Sequence, residues 1–130
     1  MSKLYTIERR TNPDHYYVFV ETNADLSGDD AYAVLTEYHE TLYDLLEQEK
    51  TAINVINEVA SNNFTFNQFL AGMKAGSIEK NPFKHPKCKG LILVTTSSLI
   101  NKSLAGITKL GFVENLRSAD TVDDALKKLF

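Results

Sequence analysis

The stretch Lys89-Gly-Leu-Ile-Leu-Val-Thr-Thr-Ser-Ser98 decides the fold of this chain. Residues 91–94 form an apolar run without alternation, which is typical of a strand covered on both faces in the middle of a sheet. We therefore expect Leu93 to be fully buried. Four hydroxyl residues follow at 95–98, and a helical pattern begins after them. A central strand, a polar turn and a helix indicate an α/β domain.

Strands and helices alternate along the rest of the chain in the order β-β-α-β-α-β-α-β-α. β-branched and aromatic residues, apolar alternation and the unbroken apolar run at 91–94 predict the strands, at residues 4–10, 16–22, 51–60, 91–94 and 112–116. Helices are predicted to begin at the caps Ser27 and Thr65, at the 95–98 turn, and at the cap Thr121. In the first helix the apolar positions recur at helical spacing, at Ala31, Leu35, Tyr38, Leu42 and Leu45.

This order predicts a single domain over residues 1–130 with a largely parallel five-stranded sheet. Residues 11–15 form a turn by composition, so the first two strands should make an antiparallel hairpin. The simplest winding keeps sequential strands adjacent in the sheet, with the helices mainly on one face. The sequence leaves open which sheet face the helices take.

Composition and charge exclude several classes of protein. The chain of 130 residues has 14 basic and 17 acidic side chains and a net charge of −3, which does not predict a nucleic-acid surface. No apolar stretch reaches the ~20 residues that a membrane span needs, and the first ten residues lack the apolar core of a signal peptide. The single cysteine, Cys88, has no internal partner, so a cytoplasmic location is the simplest expectation.

No catalytic, metal or cofactor motif is visible in the sequence. The three histidines, His15, His39 and His85, lack metal-ligand spacing, and Cys88 beside an apolar strand is interpreted as a small core residue. We therefore predict no catalytic residue, no metal and no cofactor, with an enzyme of unknown reaction as an open alternative. The loop at residues 80–89 carries four lysines and His85. It is interpreted as a solvated connector, and an anion site is the alternative.

Two stretches resemble the STAS family, named for sulfate transporters and anti-sigma factor antagonists. Asn81-Pro-Phe-Lys-His-Pro-Lys-Cys-Lys-Gly-Leu-Ile-Leu-Val94 is similar to the family's histidine-proline segment and central strand. Leu116-Arg-Ser-Ala-Asp-Thr-Val-Asp-Asp-Ala-Leu-Lys-Lys-Leu129 is similar to its closing strand, threonine cap and terminal helix. The order of elements extends the resemblance over the whole chain, to stand-alone bacterial proteins of the STAS and SEC14-like kind. The resemblance implies a non-catalytic regulatory or protein-interaction module of the bacterial cytoplasm.

In anti-sigma factor antagonists, a regulated serine lies in an Asp-x-Ser-Gly stretch between the third strand and the second helix. The corresponding stretch here is Glu58-Val-Ala-Ser-Asn-Asn-Phe-Thr65, where neither hydroxyl residue is followed by glycine. The resemblance therefore marks Ser61 and Thr65 as candidate phosphorylation sites. The alternatives are a plain loop serine at Ser61 and a helix cap at Thr65.

A ligand site is predicted where two parallel strands end. Ligands of parallel sheets bind at the carboxyl ends of the strands, and two such ends carry hydroxyl and amide side chains. A small lipid or an anion, held partly by a helix N-terminus, is the ligand class that this rim suggests. Plain N-capping by Ser97 or Ser98 is the alternative. The predicted rim consists of Ser61, Asn62, Asn63, Thr95, Thr96, Ser97 and Ser98.

If the helices lie mainly on one face of the sheet, the side chains of the opposite face should be buried by something other than these helices. On the second strand Tyr17 and Phe19 share one face, and on the third strand Ile56 lies beside Glu58. This mixed surface of apolar and charged side chains predicts a protein partner, with a two-fold homodimer as the simplest case. The candidate interface residues are Tyr17, Phe19 and Ile56. A monomer whose first strand covers this face is the alternative.

Overall fold

The computed structural model describes residues 5–11, 13–20, 28–59, 80–94 and 116–129. These residues contain five strands, two α-helices and one short 3-10 helix. In chain order the elements are β1 (Tyr5–Arg10), β2 (His15–Val20), α1 (Gly28–Glu47), β3 (Ile53–Val59), the 3-10 helix (Pro82–Lys84), β4 (Cys88–Val94), β5 (Leu116–Ala119) and α2 (Val122–Lys127). The helices predicted after Thr65 and after the 95–98 turn lie outside the described residues.

The described strands form one five-stranded sheet in the order β1-β2-β3-β4-β5. β1 and β2 are antiparallel, and every other neighbouring pair is parallel. The predicted hairpin, the largely parallel sheet and the adjacency of sequential strands are therefore confirmed. Thr121 caps α2 as expected, because its hydroxyl accepts a hydrogen bond from the Asp124 amide at 3.1 Å.

The largest differences from the predicted strand boundaries are in β4 and β5; β2 begins at His15 instead of residue 16, and β3 begins at Ile53 instead of residue 51. β4 begins at Cys88 rather than at residue 91, because Cys88 and Gly90 already pair with β3. β5 comprises Leu116–Ala119, whereas the predicted strand ended at Leu116. β5 is the last strand of the described sheet and carries Arg117 and Ser118, so its apolar signal is too weak to mark a strand.

One sheet face packs against α1, and we call it the α1 face. Tyr38, Leu42 and Leu46 of the helix are at most 2% exposed. They share a hydrophobic cluster with alternate residues of β1 to β4 and with Phe83 of the 3-10 helix. Leu45, which the sequence pattern placed inward, is only half-buried, and Leu46 takes its place. The sheet residues of this cluster are Tyr5, Tyr16, Val18, Val20, Ile53, Val55 and Leu91.

The opposite face packs against α2, and we call it the α2 face. Ala125 of α2 belongs to a second cluster with Ile56, Ile92, Val94 and Ala119. The two described helices therefore cover opposite faces of the sheet. The expectation of helices mainly on one face stays a prediction, because the other two predicted helices lie outside the described residues. Adjacent residues of β4 are apolar on both faces, so both faces of the sheet interior require cover.

Two residues are buried differently from the prediction. Leu93 is half-buried rather than fully buried, because the α1-face cluster reaches β4 at Leu91 and does not include Leu93. Ile56 is 0% exposed and lies in the α2-face cluster. It therefore has no surface to offer a partner, and its place among the candidate interface residues is wrong.

Candidate functional site

The predicted ligand rim lies outside the described residues, and so does Thr65. Ser61, Asn62, Asn63, Thr95, Thr96, Ser97 and Ser98 therefore remain predictions from sequence, as do phosphorylation at Ser61 or Thr65 and the binding of a lipid or anion. The strands that lead to the rim are parallel neighbours, with Glu58 of β3 opposite Val94 of β4. β3 and β4 therefore end at the same edge of the sheet, as the ligand prediction requires.

The candidate site within the described residues lies on the α2 face, on and beside the N-terminal hairpin. Thr6, Glu8 and Arg10 of β1 are exposed, and Tyr17 and Phe19 of β2 are half-buried. The register places Tyr17 opposite Glu8, and Phe19 between Thr6 and Glu58 of β3. We call this surface the hairpin platform; its members are Thr6, Glu8, Arg10, Tyr17, Phe19 and Glu58.

Hydrogen bonds and a cation–π contact hold the polar groups of the platform in place. Arg10 Nη2 donates to Glu8 Oε2 at 3.0 Å, and the Arg10 guanidinium lies 4.2 Å from the centre of the Tyr17 ring. The Tyr17 hydroxyl donates to Glu58 Oε1. Burial, followed by the hydrogen bond to Glu58, raises the pKa of Tyr17 to about 12. Tyr17 is therefore a neutral phenol at physiological pH. Arg10 contacts the face of its ring and Glu58 bonds to its hydroxyl, so the side chain is fixed at both places.

A buried polar pair lies on the α1 face in the second half of β3. Asn57 is 5% exposed, and its Nδ2 donates to the Tyr38 hydroxyl of α1 at 2.8 Å. The Asn57 Oδ1 atom is buried and has no hydrogen-bond partner among the residues that the structure describes. Burial raises the pKa of Tyr38, so its hydroxyl remains protonated. The sequence pattern does not predict this pair, although Asn57 interrupts the inward series Ile53 and Val55 with a polar residue.

A second polar cluster joins the end of α1 to the hairpin. Glu49 Oε1 accepts hydrogen bonds from Arg9 Nε and from the Tyr16 hydroxyl, each at 2.7 Å. The bond from Arg9, followed by the bond from Tyr16, lowers the pKa of the Glu49 carboxyl from its ordinary value of 4.5. This cluster is structural, because it fixes the C-terminal turn of α1 against β1 and β2.

The Glu49 carboxylate should make the free energy of unfolding depend on pH in the acid range. Its pKa is lower in the folded than in the unfolded chain, so its contribution is complete above about pH 4.5 and disappears as pH falls through the folded value. We expect Glu49→Gln to reduce the free energy of unfolding at neutral pH and to leave a smaller acid dependence below about pH 4.5. Urea unfolding at a series of pH values measures this. An identical acid dependence in the variant and the wild type would contradict the assignment.

The segment before β4 is not the solvated connector that its lysines suggested. Asn81, Pro82, Phe83 and His85 are buried, and the Asn81 Oδ1 accepts from the Phe83 amide at 3.1 Å to cap the 3-10 helix. Lys80 Nζ lies 3.4 Å from Asp44 of α1. The prediction failed because the anchoring of Phe83 against α1 is a long-range contact that charge composition does not reveal.

Cys88 fits the core interpretation. Burial raises the pKa of its thiol to about 11, so it is protonated at neutral pH and is a weak nucleophile. Across residues 5–11, 13–20, 28–59, 80–94 and 116–129, no three histidine, cysteine or carboxylate side chains are grouped to hold a metal ion. In the same part of the chain, no helix is long and apolar enough to cross a membrane.

Comparisons of this chain with protein-family models, with curated proteins and with solved structures found no match.

Proposed function

We propose that this chain is a non-catalytic, STAS-like regulatory module of the bacterial cytoplasm that acts by binding a protein partner. The observation that carries the proposal is the hairpin platform, where Tyr17 and Phe19 keep part of their surface exposed beside charged side chains. The sequential five-stranded sheet with an antiparallel N-terminal hairpin agrees with the element order on which the STAS resemblance rests.

The composition of the platform is that of an interaction surface. Aromatic residues and arginine are enriched in protein interfaces and among the residues that carry most of the binding energy. Arg10 and Tyr17 are already held in contact at 4.2 Å, and Tyr17 is bonded to Glu58. Side chains that are ordered before binding lose less conformational entropy when a partner covers them, which favours association.

A second copy of the chain is the partner that we propose to test first. The platform carries one cation, on Arg10, beside carboxylates on Glu8 and Glu58. Two such platforms related by a two-fold axis can place the guanidinium of each copy near a carboxylate of the other. The two-fold contact is also the commonest form of homo-oligomer.

Sedimentation velocity tests this partner. At ~100 μM, well above the micromolar dissociation constants of modest interfaces, we expect the wild type to sediment as a dimer. Phe19→Lys, alone or with Tyr17→Lys, should sediment as a monomer, because an ammonium that replaces an apolar contact must lose its hydration when the interface forms. Gln48→Lys is the matched control, since it adds the same charge at an exposed position after α1.

The possible outcomes test separately whether the partner is a second copy of the chain and whether the hairpin platform is the binding surface. A folded wild type that stays monomeric would rule out the proposed homodimer. A dimer that survives both lysine substitutions would show that the hairpin platform is not the contact surface. Dissociation of the Gln48→Lys control to the same extent would point to general charge repulsion instead of a specific interface.

A further inference from the structure

The buried pair of Asn57 and Tyr38 has hydrogen-bonding capacity that the described part of the chain does not use. The two side chains are 5% and 2% exposed, and the Asn57 Nδ2 atom donates to the Tyr38 hydroxyl at 2.8 Å. Among the described residues, the Asn57 Oδ1 atom has no donor and the proton of the Tyr38 hydroxyl has no acceptor. Buried polar groups are normally hydrogen-bonded, so an unused donor beside an unused acceptor indicates that a further group belongs there.

One hydroxyl group fits both unused positions. Its oxygen accepts a hydrogen bond from the Tyr38 hydroxyl, and its proton is donated to the Asn57 Oδ1 atom. Turning the Asn57 amide by 180° exchanges the roles of its two atoms and again leaves one donor and one acceptor for a hydroxyl group. A carboxylate does not fit, because it only accepts hydrogen bonds and the pair offers no positive charge to a buried anion.

The sheet residues on both sides of the pair are apolar. The register places Asn57 opposite Val18 of β2 on one side and opposite Leu93 of β4 on the other. Val18 is fully buried, whereas Leu93 keeps part of its surface exposed. Of these two neighbours, Leu93 is therefore the one over which a molecule from solvent can reach the buried pair.

We propose that the Asn57–Tyr38 pair is a binding site for an uncharged, apolar molecule that carries one hydroxyl group. The hydroxyl bridges Tyr38 and Asn57, and the apolar part of the molecule covers Leu93. The Asn57 Oδ1 atom is enclosed in the structure, so the Leu93 side chain turns aside when the ligand enters.

The site should prefer an alcohol to a hydrocarbon of the same shape. The hydrocarbon leaves the buried donor and acceptor without partners, whereas the alcohol provides a partner for each. The site lies on the α1 face, and the hairpin platform lies on the α2 face. The inference therefore goes beyond the proposed protein partner, and failure of the homodimer would not affect it.

Benzyl alcohol and toluene are suitable probes, because they have similar shapes and differ by one hydroxyl group. Each is titrated to ~5 mM, the range of weak small-molecule binding, into the isotope-labelled wild type. NMR follows the Asn57 side-chain amide and the Leu93 backbone amide. We expect benzyl alcohol to shift both signals and to bind at least ~10-fold more tightly than toluene. Equal affinity for the two probes would overturn the proposal. Unchanged signals at both positions would also overturn it and would leave a buried water molecule as the occupant.

Asn57→Leu and Tyr38→Phe test the two hydrogen bonds separately. Each variant removes one hydrogen-bonding group and keeps a side chain of similar size, so the preference for benzyl alcohol over toluene should largely disappear. Asn54→Leu is the matched control, because Asn54 is half-buried on the same strand and on the other face, and its substitution should leave the preference unchanged. If Asn57→Leu fails to fold, Tyr38→Phe and the wild type still decide the matter. A preference that persists in the folded variants would overturn the assignment.

Discussion

Leu42→Ala is expected to lower the free energy of unfolding by about 2–5 kcal/mol. Leu42 is 0% exposed and lies in the α1-face cluster between α1 and the sheet. Truncation removes buried apolar surface and leaves a cavity that close-packed neighbours fill only partly. Urea unfolding followed by circular dichroism measures the change, because the midpoint shifts while the slope stays constant.

Leu45→Ala provides the matched control in the same helix. Leu45 is half-buried and packs at the edge of the cluster, so the same truncation should cost clearly less. The comparison removes the intrinsic helix propensity of alanine, which is the same at both positions. Equal losses at the two positions, or a loss under about 1 kcal/mol at Leu42, would contradict the placement of α1 on the sheet.

Asn57→Asp is expected to destabilise the fold by about 2–4 kcal/mol at pH 7. The position is 5% exposed, so the new carboxyl loses its hydration. The Tyr38 hydroxyl, which bonds to Asn57 in the wild type, is the described side chain placed to bond to it. The buried carboxyl can avoid the cost of a buried charge by binding a proton. For a carboxyl of ordinary pKa about 3.9, protonation at pH 7 costs about 4 kcal/mol, so this value is the upper limit of the loss in stability.

The pH dependence of this variant has a definite sign. Burial raises the folded-state pKa of the introduced carboxyl above its unfolded value, so the penalty is absent below about pH 4 and grows as pH rises. Asn54→Asp is the control, because Asn54 is half-buried on the same strand and on the other face. Urea unfolding of both variants at acid and neutral pH tests the pair. A similar small loss for both would show that Asn57 and Tyr38 do not form a buried contact.

These experiments address different parts of the molecule. Leu42 and Asn57 test the packing of α1 on the sheet, and Glu49 tests the connection of α1 to the hairpin. Phe19 and Tyr17 test the proposed partner surface on the opposite face.

The sequence alone predicted the features that depend on neighbours along the chain. Alternation and turn composition predicted the β1–β2 hairpin, and the apolar run at 91–94 predicted an interior strand. The hydroxyl of Thr121 predicted the start of α2, because a cap needs only the amide three residues later. The sequential order of the sheet also followed from element order, since short crossovers place successive strands side by side.

The tertiary structure decided what depends on residues far apart in the chain. Tyr38 bonds to Asn57 over 19 positions, and His85 bonds to Glu47 over 38 positions. The placement of α2 against Ile56, which excludes that residue from the partner surface, is of the same kind. Periodicity shows that a residue is apolar and which side of its own strand it occupies. It does not show which helix covers that side, because that choice depends on how all the elements pack together.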